Sequence, residues 1–72
     1  MNKQAQVRLM EELNLRFQIA KQTDEEMGNG DKPLFLPNNP DAIHYKAMLK
    51  TIELAGFWWK RFGNGKHIIG RI

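Results

Sequence analysis

Apolar residues return at every third or fourth place through the first third of the chain. Leu9, Met10, Leu13, Phe17 and Ala20 fall within about 100° of arc on a helical wheel, the stripe of an amphipathic helix that buries one face. This spacing predicts a long helix over residues 4–26, closed by Gly28. The acidic run Asp24-Glu25-Glu26 would face the negative end of the helix dipole, so the last turn is expected to break near Thr23. Leu15 and Ile19 lie on a different side of the same helix, four residues apart. They form a second patch, expected to meet a second copy of the chain or a partner protein.

A second helix is predicted over residues 40–55. Asn39 suits the N-cap, Pro40 suits the first helical position because its missing N–H would have no intrahelical partner, and Asp41 favours the positive dipole end. Gly56 can take the left-handed conformation that follows a helix end, and Phe57 supplies the apolar contact beyond it. Tyr45, Met48, Leu49, Ile52 and Ala55 make one apolar face, with Ile43, Ala47 and Leu54 on the opposite side. A helix apolar on two sides lies either between two packed elements or at an interface, and the first is expected here. Residues 28–39, GNGDKPLFLPNN, form a linker in which prolines bracket Leu34, Phe35 and Leu36. Proline biases its predecessor toward extended backbone, so these three are expected to cross the core as a short extended segment or edge strand.

Residues 57–72 then alternate as a β-hairpin. Asn64-Gly65 suits a two-residue type I′ turn, whose central positions both need positive φ. That turn predicts pairing of Phe62 with His67, Lys60 with Ile69, Trp59 with Gly70 and Trp58 with Arg71. Phe57, Trp59, Arg61, Ile68 and Ile72 would face the helices; Trp58, Lys60, Phe62, His67, Ile69 and Arg71 would face outward. Trp59 would cover the gap at Gly70. The fold class expected is α+β in one small domain over residues 1–72: long helix, extended segment, second helix and C-terminal hairpin.

Charge changes the picture in the second half. Residues 1–44 carry five basic against seven acidic side chains, a net of −2, whereas residues 45–72 carry six basic against one acidic, a net of +5. Aromatics interleaved with cations on one sheet face are what nucleic-acid contacts use: cations neutralise phosphates and flat side chains stack on bases. Trp58, Lys60, Phe62, Lys66, His67 and Arg71 are the candidate nucleic-acid-binding residues, for DNA or RNA. The competing structural role for Trp58 is packing, with Arg71 covering it by a cation–π contact. The alternative function is a protein-interaction module or small inhibitor docking through Leu15 and Ile19 of the first helix, and a homodimer fits the same patch. The 72 residues contain no cysteine and no serine, His44 and His67 lack acidic neighbours at metal-ligand spacing, and GNGK lacks the pattern of a phosphate loop. No cofactor, metal or catalytic residue is expected, no segment suits a membrane span, and a cytoplasmic location follows. A short reading frame of this kind would suit a phage or mobile element.

The stretch LKTIELAGFWWKRFGNGKH resembles the N-terminal part of HicA-type toxins, RNA-cleaving proteins with a double-stranded-RNA-binding-like fold. The matching residues are Gly56-Phe57, Arg61 and Gly65-Lys66-His67, and they lie in about the last quarter of the chain. Lys66 stands where that family has serine, and the family's third strand and closing helix have no counterpart after Ile72. The resemblance implies His67 as a catalytic histidine, a minor alternative to the binding function. The order of extended segment, helix and basic hairpin also resembles the later part of a winged-helix domain, in layout alone.

Overall fold

The computed structural model describes residues 2–29 and 35–72. Helix α1 spans Lys3–Glu26 and helix α2 spans Pro40–Leu54; strands β1 (Phe57–Arg61) and β2 (His67–Arg71) form an antiparallel hairpin. The chain has the α+β layout expected. The two helices pack on each other, β2 lies against α1 and β1 against α2. Leu13, Tyr45, Leu49, Ile52, Phe57 and Ile69 fill the core, ringed by Leu9, Met10, Phe17, Phe35, Met48 and Trp59. Among the described residues no helix is long and apolar enough to cross a membrane.

Both helices begin on asparagine. Asn2 Oδ1 accepts the Ala5 N–H at 2.8 Å, and Asn39 Oδ1 accepts the N–H groups of Asp41 and Ala42 at 3.0 and 3.1 Å. The end of α1 is firmer than its acidic run suggests. The helix does not break at Thr23; it continues to Glu26 and closes with Gly28 N–H on Glu25 O and Asn29 N–H on Asp24 O, a Schellman arrangement. The reason is that Asp24 turns into the protein. Its carboxylate accepts from Leu36 N–H at 2.9 Å, from Asn39 Nδ2 at 2.9 Å and from Asn29 Nδ2. Burial pushes the Asp24 carboxyl up, but those hydrogen bonds and the nearby positive charge of Lys46 outweigh it and hold the group below its ordinary value. Asn39 Nδ2 also donates to Ala20 O at 2.9 Å, so one buried amide caps α2 and ties it to the end of α1.

Two other expectations change. Ile43 and Leu54 on the far side of α2 are exposed, Leu54 to 78%, so α2 packs on one side and is not sandwiched. Phe35 packs against the core, its ring edge-on to Phe17 and Tyr45, but neither Phe35 nor Leu36 is in a strand. The Leu36 N–H that a strand ladder would need is spent on Asp24. The rest of the predicted extended segment, including Leu34, lies outside the described residues.

The hairpin is offset by one residue from the register expected. Phe57 pairs with Arg71, Trp58 with Gly70, Trp59 with Ile69, Lys60 with Ile68 and Arg61 with His67. The loop has three residues: Gly65 N–H bonds Phe62 O at 2.9 Å, and Phe62 N–H bonds Lys66 O at 2.9 Å. Asn64 keeps negative φ and accepts the Lys66 N–H on its side chain at 3.1 Å, leaving Gly65 (φ 83°) alone in the left-handed region. Gly65 is also pressed on α1, where a side-chain carbon would stand 3.1 Å from Phe17 Cδ2 and clash with Gln18. A slip of one residue exchanges the faces of a strand. On β2, His67 and Ile69 therefore point inward with Phe57 and Trp59, while Ile68 joins Trp58, Lys60 and Phe62 outside. The residue that covers Gly70 is Trp58, not Trp59.

Asn39→Ala should lower unfolding free energy by about 2–4 kcal/mol, from the lost cap and the loss of a donor to a buried carboxylate. Asn39→Ser, which keeps a capping oxygen but not the amide, should recover part of that loss in urea denaturation. A cost for Asn39→Ala within about 0.5 kcal/mol of zero would refute the role given to this side chain.

Candidate nucleic-acid interface

On β1 alternate residues share a face, which sets Trp58 and Lys60, with Phe62 immediately beyond the strand end, in a row on the outer side of the hairpin. Trp58 is 45% and Phe62 43% exposed, and Lys60, Lys66 and Ile68 are exposed beside them. The Lys60 ammonium stands 5.4 Å from the centroid of the Phe62 ring, within cation–π range. Acidic side chains are absent from residues 54–72, so nothing of opposite sign on the hairpin itself offsets Lys60 and Lys66.

Of the six candidate residues, Trp58, Lys60, Phe62 and Lys66 lie together on this surface or at its turn. His67 and Arg71 do not. His67 is 3% exposed on the inner face, carried there by the three-residue loop. Arg71 shares the inward register; its side chain is exposed at the sheet margin, with the guanidinium 5.8 Å from the Phe57 ring centroid rather than over Trp58. Ile68, expected inside, takes a place on the outer face. On α1, Leu15 is 51% exposed and Ile19 half-buried.

Behind the hairpin lies a partly buried polar chain that spacing alone does not reveal. Asn14 Oδ1 accepts the main-chain N–H of His67 at 2.7 Å, which fixes the oxygen on that side, and His67 Nδ1 stands 3.0 Å from the same oxygen. Nδ1 is therefore the protonated ring nitrogen. Nε2 is left to accept the Tyr45 O–H at 2.6 Å, and Arg61 Nη1 donates to the Tyr45 oxygen at 3.0 Å. Donation runs in one direction, from Arg61 through Tyr45 and His67 to Asn14. The Arg61 guanidinium also stacks 4.8 Å from the Phe17 centroid, so its role is to close the core edge. Asn14 offered one legible signal, a polar residue between Met10 and Phe17 on the apolar stripe of α1.

This geometry determines the titration of the inner histidine. Burial, then the adjacent Arg61 charge, pushes the His67 pKa down, with a hydrogen bond at the Gly65 backbone acting the other way. Burial likewise raises the Tyr45 hydroxyl, with Arg61 partly opposing it. A proton on Nε2 would meet a hydroxyl whose oxygen already accepts from Arg61. His67 is thus built as a neutral link between β2 and both helices, and neither ring nitrogen is open to a substrate. Among the described residues no three His, Asp or Glu side chains gather as a metal site. Comparison with protein-family models, with curated proteins and with solved structures finds no match to this chain.

Folded His67 refuses a proton that the unfolded chain accepts near its ordinary value of 6.5. Its contribution to stability is therefore full above that value and declines as pH falls below it, until the lowered folded value is reached. Thermal melts should show Tm falling as the pH drops from about 7 to 5, and His67→Gln should flatten that slope whatever its effect on absolute stability. An unchanged slope in His67→Gln would disprove the assignment.

Proposed function

We propose that this chain is a small cytoplasmic, non-enzymatic nucleic-acid-binding protein of regulatory or accessory type, contacting its ligand through the outer face of the hairpin. The observation that carries the reading is the row Trp58-Lys60-Phe62: two half-exposed aromatics with a cation between them on the outer side of the hairpin. Lys66 at the turn extends the positive surface. Cations of this kind gain affinity by releasing counterions from phosphates, and exposed aromatic faces add stacking that needs no particular base. The engagement of both His67 ring nitrogens inside the protein supports a binding role over RNA cleavage of the HicA type.

A protein-interaction module or small inhibitor is the second reading. It is favoured by an apolar groove of about 430 Å³ between the helices, lined by Leu9, His44, Ala47, Met48, Ile52 and Phe57 among others, and by the exposed Leu15 on α1. Salt separates the two readings, because phosphate binding weakens steeply as salt is added and apolar docking does not.

Titration of labelled DNA and RNA at low salt should show binding. Lys60→Ala and Lys66→Ala should each make the slope of log affinity against log salt shallower by about 0.7–0.9. Arg71→Ala, at the sheet margin over Phe57, should leave that slope nearly unchanged. Absence of binding to either nucleic acid at about 50 mM salt, where weak phosphate contacts still register, would rule the proposal out.

A further inference from the structure

The cross-strand partner of Trp58 is glycine, and the indole uses the space. A side-chain carbon at Gly70 would stand 2.5 Å from Cζ2, 2.6 Å from Cε2 and 2.8 Å from Nε1 of Trp58. Those three are consecutive atoms along the Nε1–Cε2–Cζ2 edge of the indole, so it is this edge of the ring that covers Gly70. The indole therefore rests on the Gly70 backbone along that edge, and Trp58 remains 45% exposed. Phe62 stands four residues on, just past the end of β1, about 13 Å away at the rise of extended backbone.

Resting on the nucleic-acid reading above, we infer that the ligand of this face is a single strand, with the Trp58 indole as the platform on which an unpaired base stacks. In a duplex the faces of the bases are covered by their neighbours, and only base edges and phosphates meet a protein. With its one hydrogen-bonding group, Nε1, on the edge turned to Gly70, the ring offers no donor to a groove. Nor can it act as a wedge, since the side chains that pry base steps apart must project into the stack. What it can do is receive the exposed face of a base already unpaired, the arrangement by which sheet surfaces hold single strands. Lys60, next along the row, is placed for the phosphate of the strand that carries that base. Phe62, with its ring under the Lys60 ammonium, offers a second stacking position at the other end of the row.

The test compares oligo(dT) and oligo(U) of about 12 nucleotides with a blunt duplex of the same length, at one salt concentration. Wild-type protein should bind the single strands at least about tenfold more tightly than the duplex, with quenching of tryptophan fluorescence. Trp58→Leu keeps an apolar cover on Gly70 but removes the platform; it should lose about 5- to 150-fold in single-strand affinity, equivalent to one stacked base, with duplex affinity unchanged. Quenching should vanish in that variant, where Trp59 is the remaining indole, and Trp58→Phe should retain most of the binding. Circular dichroism melts establish that each variant is folded. Equal affinity for duplex and single strand, or an unchanged single-strand affinity in folded Trp58→Leu, overturns the single-strand inference and leaves the nucleic-acid reading standing. Failure of the wild type to bind any of the three overturns both.

Discussion

The fold depends on one buried amide. Asn39 stops the backbone of the connecting segment, starts α2 with its oxygen, and holds the end of α1 with its nitrogen through Ala20 O and the Asp24 carboxylate. A buried carboxylate is costly unless its lone pairs are filled. Here they are filled from Asn29, Leu36 and Asn39, so the two helices and the described ends of the segment between them are fixed by the same group. Thr23 adds an outer contact by donating to Asp41. With the helices so placed, Leu13, Leu49 and Ile52 meet at the centre and Tyr45 is aimed at the hairpin.

The hairpin is fastened differently. Its own ladder is only two strands wide, which is marginal without packing, and its inner face supplies that packing through Phe57, Trp59 and Ile69. The line from Arg61 through Tyr45 and His67 to Asn14 then joins both strands to both helices. Directionality matters in that line, because Arg61 can only donate and Asn14 Oδ1 can only accept, which leaves Tyr45 and His67 to donate and accept once each between them. The outer face is released from structural duty apart from the contact between Trp58 and Gly70.

Much of the helical structure was legible in the residues because its determinants are local. Asn39-Pro40-Asp41 announces the start of α2 within three positions, and the stripe Leu9, Leu13, Phe17 announces the buried side of α1. The inward turn of Asp24 was not legible, since its partner Asn39 stands 15 residues away and the local dipole argument pointed to a break. The register of the hairpin was ambiguous for a more specific reason. Phe57, Trp58 and Trp59 are all aromatic, and Ile68 and Ile69 are both isoleucine, so alternation could not choose which of each set faces the core. The choice fell to the turn, where a two-residue preference for Asn64-Gly65 competed with a three-residue loop that uses Gly65 alone. Close approach to Phe17 and Gln18 favours the second. Trp58 and Lys60 keep the outer face expected of them because β1 keeps its faces, and Phe62 and Lys66 stay beside them next to the turn; His67 and Arg71, on β2, exchange faces.

The loop between Arg61 and His67 consequently constrains how this chain can diverge. Exposed polar loops are ordinarily where insertions and deletions accumulate with little effect. This one acts as a gauge: loss of a single codon from it would pass the parity change to every later residue, turning His67 and Ile69 outward and Ile68 inward. Identity at Gly63 and Asn64 can drift so long as the count is kept. Length, rather than composition, is the inherited quantity at this site, and a gap placed here in a comparison of descendants would mark a different protein surface.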